Sequence, residues 1–328
     1  MPYAGPARLA LCIAVFGAAG LGALPGTAPA AHAQAPQVRT QAPGYYRLMV
    51  GKFEITALSD GTVKLPVDQL LTHTTPAQVD RMLALDHLSP PVETSVNGFL
   101  VNTGRQLVLI DTGAAGLFGP TLGRLVANLQ AAGYRPEQVD EILITHMHAD
   151  HVGGLATPDG KAVFPNAIVR ASQQDADYWL SEKNLQAAKP DEQGAFRNAM
   201  ASLKPYVDSG RFKPFSGATD LLPGLRAVPA PGHTPGHTIY LAESEGQRIA
   251  FWGDLLHVAA VQFAQPQVTI AFDSDARQAE PSRLKNFADA ARQGYLVAFA
   301  HVSFPGIGHL RAQGRGYVWQ PVNYSATP

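Results

Sequence analysis

The chain has 328 residues, with 25 Lys and Arg against 26 Asp and Glu and a formal charge of −1. That balance, with no basic run, excludes a protein that holds nucleic acid by charge, which shows a basic excess or patch. The length suits one large α/β domain or two small ones, with a core that needs no disulfide staples. The one cysteine is Cys12, so any metal site farther along must use His, carboxylate and water.

The first predicted element is an export signal over residues 1–33. Arg8 precedes an apolar run from Leu9 to Leu24, then Pro25 and Gly26, and Ala31-His32-Ala33 is an A-x-A cleavage pattern. The run is short and Gly-rich for a spanning helix, which needs about 20 apolar residues. Cleavage after Ala33, a periplasmic or secreted location and no stable membrane anchor are therefore expected. Residues 34–44 (QAPQVRTQAPG) are polar and Pro-rich and read as an N-terminal arm. Residues 45–328 read as one domain.

Along that domain, buried strands are predicted at Phe53–Leu58, Gly98–Asn102, Leu107–Ile110, Glu141–Ile144, Ala167–Ala171, Leu225–Pro229, Ile239–Ala242, Arg248–Trp252 and Tyr295–Phe299. Most are β-branched or aromatic and bounded by Gly, Pro, Asp or Asn. Helical spacing falls at Pro120–Ala132, Gln173–Leu180, Glu192–Ser209 and Pro281–Gln293. The alternation argues for an α/β class. The helical, aromatic-rich stretch 172–215 is expected as a lid or wall. LVLIDTG (107–113) and IAFWGDL (249–255) are both apolar runs ending at Asp, a faint echo that fits two similar layers.

The segment Thr145-His146-Met147-His148-Ala149-Asp150-His151 follows the apolar EILI and precedes Gly153 and Gly154. If the strand continues through it, alternation points His146 and His148 the same way, and a turn lets Asp150 and His151 reach a second ion. Three imidazoles and a carboxylate in six positions have the composition of a metal site. Further ligand types end later apolar runs: His233 after LRAVPA, Asp254 after IAFWG and His301 after LVAFA. His73, His87 and His309 sit outside any ligand pattern and are read as surface or packing residues.

HxHxDH, a later GH, a strand-terminal GD and a last His resemble the metallo-β-lactamase superfamily. The resemblance implies an αββα sandwich of two mixed β-sheets flanked by helices, with two divalent metal ions at one edge. It implies that His146, His148 and His233 hold one ion, that Asp150, His151 and His301 hold the other, and that Asp254 bridges them. Asp111, in Asp111-Thr112-Gly113, matches the family's structural Asp behind a ligand, and His237 is expected to play a similar supporting part. Zinc is the default ion, and the carboxylates would also accept Mn, Co or Fe.

FEITALSDGTV, LVLIDTGAAGLFGPTLGRL, FKPFSG, VAAVQF, FPGIGH and PVNYS are similar to the family of methyl parathion hydrolase and its dihydrocoumarin hydrolase-like lactonase relatives, exported dinuclear hydrolases that are dimeric as a rule. The organophosphate specialists carry a basic residue at Leu70, Leu at His257, Thr at Ile270, Leu at Phe272, and one extra residue near Gln193. This chain shows none of those states. The resemblance thus implies a homodimeric lactonase opening apolar or aryl lactones with metal-activated water. Phosphotriester hydrolysis is the alternative. A β-lactamase and a metal-binding protein without turnover are less favoured, the first for want of a Cys ligand and the second because the ligand set is complete. Asp254 and His257 are the expected catalytic residues, with His257 as a hydrogen-bond donor to substrate. Leu70, Phe118, Trp179, Phe196, His257, Ile270 and Phe272 are the expected pocket wall around a small-molecule lactone or ester.

Overall fold

Strands covered on both faces read as unbroken apolar runs, and the predicted strands are of that kind. The computed structural model describes residues 35–328; the expected export signal lies outside the described residues. Residues 35–40 are exposed and have no regular secondary structure. Residues 41–328 form one compact unit. In it the chain enters at Gly44, whose N–H donates to Asn128 Oδ1 at 2.8 Å.

The strands among the described residues are β1 (Tyr45–Val50), β2 (Phe53–Leu65), β3 (Leu71–Thr72), β4 (Val92–Asn102), β5 (Leu107–Ile110), β6 (Glu141–Leu143), β7 (Ile168–Arg170), β8 (Thr219–Leu222), β9 (Leu225–Pro229), β10 (Thr238–Ser244), β11 (Gln247–Phe251), β12 (Thr269–Ile270), β13 (Leu296–Ala298), β14 (Ile307–Gln313) and β15 (Gly316–Pro321). One sheet runs β1-β2-β4-β5-β6-β7, the second β15-β14-β13-β11-β10-β9-β8, and β12 pairs with β3. Both large sheets are mixed: β5, β6 and β7 are parallel, as are β11 and β13, and the other pairings are antiparallel.

Alternation along each strand sorts side chains between layers. Ile55, Ala57, Phe99, Val108 and Ile110 of the first sheet meet Ala227, Tyr240, Ile249 and Phe251 of the second in the central core. Leu58, Leu100, Leu109 and Ile142 face outward onto the helices Leu125–Ala131 and Gln193–Asp208. On the far side, Ile239, Ala250 and Trp252 pack on Phe287 and Ala290 of the helix Ala276–Gln293. The expected αββα sandwich is the observed architecture. No helix among the described residues is long and apolar enough to cross a membrane.

Boundaries differ where turns override periodicity. The helix expected from Pro120 begins only at Leu125, because Gly119 and Gly123 take positive φ (103° and 85°) and Asp60 Oδ1 accepts the Leu125 N–H at 3.0 Å. The helix expected from Pro281 begins five residues earlier, where the Asp275 side chain caps Arg277 N–H, and Pro281 lies inside it. The strand expected at Glu141–Ile144 ends at Leu143 and does not continue into the histidines, so strand alternation is not what aligns His146 with His148.

Candidate metal centre

The site lies where the carboxyl ends of five strands meet. Asp111 follows β5, the HxHxDH segment follows β6, His233 follows β9, Asp254 follows β11 and His301 follows β13. Open α/β sheets place ligands at such ends. The sheets are tied together here: Thr238 N–H donates to Thr145 O at 2.9 Å, and Tyr240 Oη to Ile144 O at 2.7 Å.

After β6 the backbone bends, sends Met147 into the core and enters the short helix Ala149–Val152. The two flanking histidines converge through different ring atoms: His146 Nε2 and His148 Nδ1 are 3.1 Å apart. His233 Nε2 is 3.0 Å from the same His148 Nδ1. Zinc–nitrogen bonds of 2.0–2.1 Å place two nitrogens of a tetrahedral site ~3.3 Å apart, close to these separations. Burial, and then the charges of neighbouring histidines, hold His146 and His148 well below the usual imidazole range. A ring held neutral in this way presents a lone pair to a cation.

Asp254 stands between two groups of ligands. Oδ2 lies 3.1 Å from His233 Nε2 and 3.5 Å from His146 Nε2. Oδ1 lies 3.2 Å from His151 Nε2 and 3.1 Å from His301 Nε2, and His301 Nε2 comes within 3.3 Å of Oδ2 as well. Asp150 Oδ2 completes the second group, 3.4 Å from His301 and 3.7 Å from His151. The residues fit a pair of cations on one further ground: His151 Nε2 and Asp254 Oδ1 are buried with no hydrogen-bond partner. Such orphans cost roughly 1–3 kcal/mol each, and a cation held between them satisfies both. His146, His148, His233 and Asp254 form one group able to hold an ion, and Asp150, His151 and His301 another.

The surroundings fix the ligands. Asp111 has φ +57°, a strained backbone for a residue with a Cβ; its Oδ1 accepts Thr145 N–H and its Oδ2 accepts His151 Nδ1–H, both at 2.8 Å. His301 Nδ1 donates to Ser95 O at 2.9 Å. His237 contributes no free nitrogen: Nε2 accepts the Asp254 N–H at 3.1 Å and Nδ1 donates to Ala230 O at 3.1 Å. Burial, reinforced by the charge of His233, pushes His237 down to about 3. Gly253 needs its positive φ of 49°, and a Cβ there would lie 2.8 Å from Thr145 Cβ and Oγ1.

Three buried carboxylates not singled out in the sequence also support the site. Asp60, at the β-bulge of β2, accepts Ala114, Gly123 and Leu125 N–H and so holds the loop 113–125. Asp175 accepts Met147 N–H, Thr234 Oγ1–H and Gly236 N–H, joining the two histidine loops. Asp273 lies 3.0 Å from His233 Nδ1. The only cue was an Asp beside a turn, and Asp is common at turns.

A cavity of about 520 Å³ opens onto the ligands. Val63, Leu65, Val96 and Leu122 form an apolar wall, Phe118 and Phe272 the rim, and Asp191 and Asn198 a polar side. Phe118, Phe272 and His257 line it as expected from the sequence. Leu70, Trp179, Phe196 and Ile270 do not. Ile270 lies in the core beside β3, with Leu70 packed against it. Trp179 and Phe196 face the helix layer, although Trp179 meets the His148 ring edge-on at 5.2 Å. The stretch 172–215 does supply a wall, as expected, but through Asp191, Gly194, Ala195 and Asn198 rather than through Trp179 and Phe196. His257 Nε2 is 3.0 Å from Asp254 Oδ2. An ionised carboxylate only accepts, so in this pair His257 Nε2 donates to Asp254.

The sequence profile of the Metallo-beta-lactamase superfamily matches residues 91–301. Among solved structures, the chain is similar to hydrolase AbOPH of the beta lactamase superfamily, with 40% identity and a TM-score of 0.83 over 87% of this chain and 100% of that one. It is also similar to AidC, a dizinc quorum-quenching lactonase, with 26% identity and a TM-score of 0.80 over 86% of this chain and 98% of that one. An N-acyl homoserine lactonase of Bacillus sp. is 26% identical over 222 residues, which is 62% of this chain and 79% of that protein.

Proposed function

Because the chain belongs to the metallo-β-lactamase superfamily, we propose that it is a dinuclear metal-dependent hydrolase of the lactonase type that opens apolar, aryl-bearing lactones. The observation that carries this is Asp254, one oxygen of which meets His146 and His233 while the other meets His151 and His301. On this reading His146, His148 and His233 would hold one ion and Asp150, His151 and His301 the other, with Asp254 between the two groups. Bound there, a pair of divalent ions, zinc by default, would supply a water whose pKa is lowered from about 15.7 toward 7 and a Lewis acid for the lactone carbonyl.

The chain's own contribution is placement. Phe118 and Phe272 offer aromatic faces to a hydrophobic substrate at the cavity rim, and the wall of Val63, Leu65, Val96 and Leu122 keeps bulk water from its far side. His257 holds Asp254 Oδ2 through Nε2, and its Nδ1 is buried without a partner. A phenolate leaving group, with a pKa near 10 for a simple phenol, needs little acid help.

The test is a substrate panel on the purified, metal-analysed full chain: dihydrocoumarin, an N-acyl homoserine lactone and a dimethyl aryl phosphotriester. The expected order places kcat/KM for dihydrocoumarin first. A phosphotriester rate above both lactone rates would reverse the assignment. We also place the chain outside the cytoplasm as a homodimer; N-terminal sequencing of the exported protein should begin at Gln34, and its solution mass should be twice that of the chain.

A further inference from the structure

We propose that Asp273 is a positioning residue that sets the tautomer and aim of His233. The inference rests on the metal reading above. Asp273 Oδ1 lies 3.0 Å from His233 Nδ1. Both His233 nitrogens face a carboxylate, Nδ1 that of Asp273 and Nε2 that of Asp254, and an ionised carboxylate has no proton to give. Once an ion takes the place of a proton on Nε2, the proton that remains is the one Asp273 holds on Nδ1. The Nε2 lone pair is thereby directed at the point shared with His148 Nδ1 and Asp254 Oδ2, 3.0 and 3.1 Å away. With the proton on Nε2 instead, His233 could not ligate.

The carboxylate is itself held. Its Oδ2 accepts the Ile270 N–H at 3.2 Å and lies 3.9 Å from Nη2 of Arg283, a fully buried guanidinium. Arg283 spends its other donors on backbone carbonyls, those of Leu255, Pro266 and Val268. One side chain therefore ties the segment after Asp254 to the segment before Asp273. The backbone repeats the link: Ser274 N–H donates to His233 O and Asp275 N–H to Gly232 O, both at 2.9 Å. Residue 272, next to Asp273, is the Phe on the cavity rim. The turn 270–275 thus presents a substrate-facing ring and a ligand-aiming carboxylate from adjacent positions. Partners of this kind fix ring orientation and raise ligand basicity, and their loss typically weakens metal binding 10–100-fold.

The variants are Asp273→Asn, which keeps the size, Asp273→Ala, which removes the partner, and Asp273→Glu, which keeps the charge. Each is made in the full chain and its metal-free fold checked by circular dichroism. The readouts are zinc affinity by competition with a chromogenic chelator and the visible absorption of the cobalt-loaded protein. Asp273→Ala should weaken one of two zinc sites about 10–100-fold and leave the other unchanged. Asp273→Asn should alter the cobalt spectrum and weaken the same site, and Asp273→Glu should recover part of the affinity. Folded Asn and Ala variants that bind both ions with wild-type affinity and spectrum would overturn the positioning role while leaving the metal centre standing. A wild-type chain that binds no ion would overturn both.

Discussion

Asp254 belongs to both halves of the site, and its neighbours show which residue-scale losses should be total. Asp254→Asn removes the charge that both imidazole groups face, so it should lower kcat/KM for a lactone by about 10³-fold or more and reduce bound metal. His148→Ala should do the same through the loss of a single ion, because His148 Nδ1 meets both His146 and His233. Kinetics paired with elemental analysis of each variant checks both; wild-type turnover in either would refute the assignment. At this scale the sequence was legible where residue type and spacing suffice. HxHxDH, His233, Asp254 and His301 stand out because few other roles call for such residues after apolar runs. Asp60, Asp175 and Asp273 did not stand out, since each acts on backbone or rings brought to it only by folding.

Turns and loops decide how the elements present those residues. Gly253→Ala should destabilise the protein by at least about 1–2 kcal/mol, the cost of a left-handed residue with a Cβ, and should shift Asp254; denaturant unfolding and metal content together check this. Asp175 joins the loop after β6 to the loop after β9, and burial pushes its carboxyl up to about 6 against the pull of its three donors. A carboxyl whose folded pKa lies above its unfolded value of about 3.9 takes up a proton on folding. Its contribution to stability is therefore full below pH 4 and lost as pH rises through 6, by up to about 3 kcal/mol. The stability of metal-free wild type minus that of Asp175→Asn should fall across this window, and a flat or rising difference would contradict it. At the cavity rim, Phe118→Ala and Phe272→Ala should each raise KM for an aryl lactone about tenfold, equivalent to ~1.4 kcal/mol, with metal content unchanged. Periodicity exposed the long buried strands and helices. It missed the short or edge strands β1, β3, β8, β12 and β15, and the interior strand β14, whose second half is exposed. It placed the wall in the right stretch but chose the wrong residues: Phe196 and Trp179 look like pocket aromatics in sequence, but helix phase turns them toward the core and gives the cavity to Gly194, Ala195 and Asn198.

Across the whole molecule, two sheets face one another so that the carboxyl ends of β5, β6, β9, β11 and β13 converge, and ligands far apart in the chain become neighbours. The class of fold was readable from alternating strands and helices together with the metal motif. The cross-sheet contacts that close the site, such as Tyr240 Oη on Ile144 O, were not, because nothing local in the sequence marks them. The central claim is that this convergence binds two cations on which turnover depends. The most direct measurement is elemental analysis of the purified full chain, coupled to its rate on dihydrocoumarin before chelation, after chelation and after zinc is returned. About two divalent transition ions per chain, activity lost with them and restored by zinc, is the predicted result; a folded chain without bound ions, turning over equally well in the presence of chelator, would contradict it.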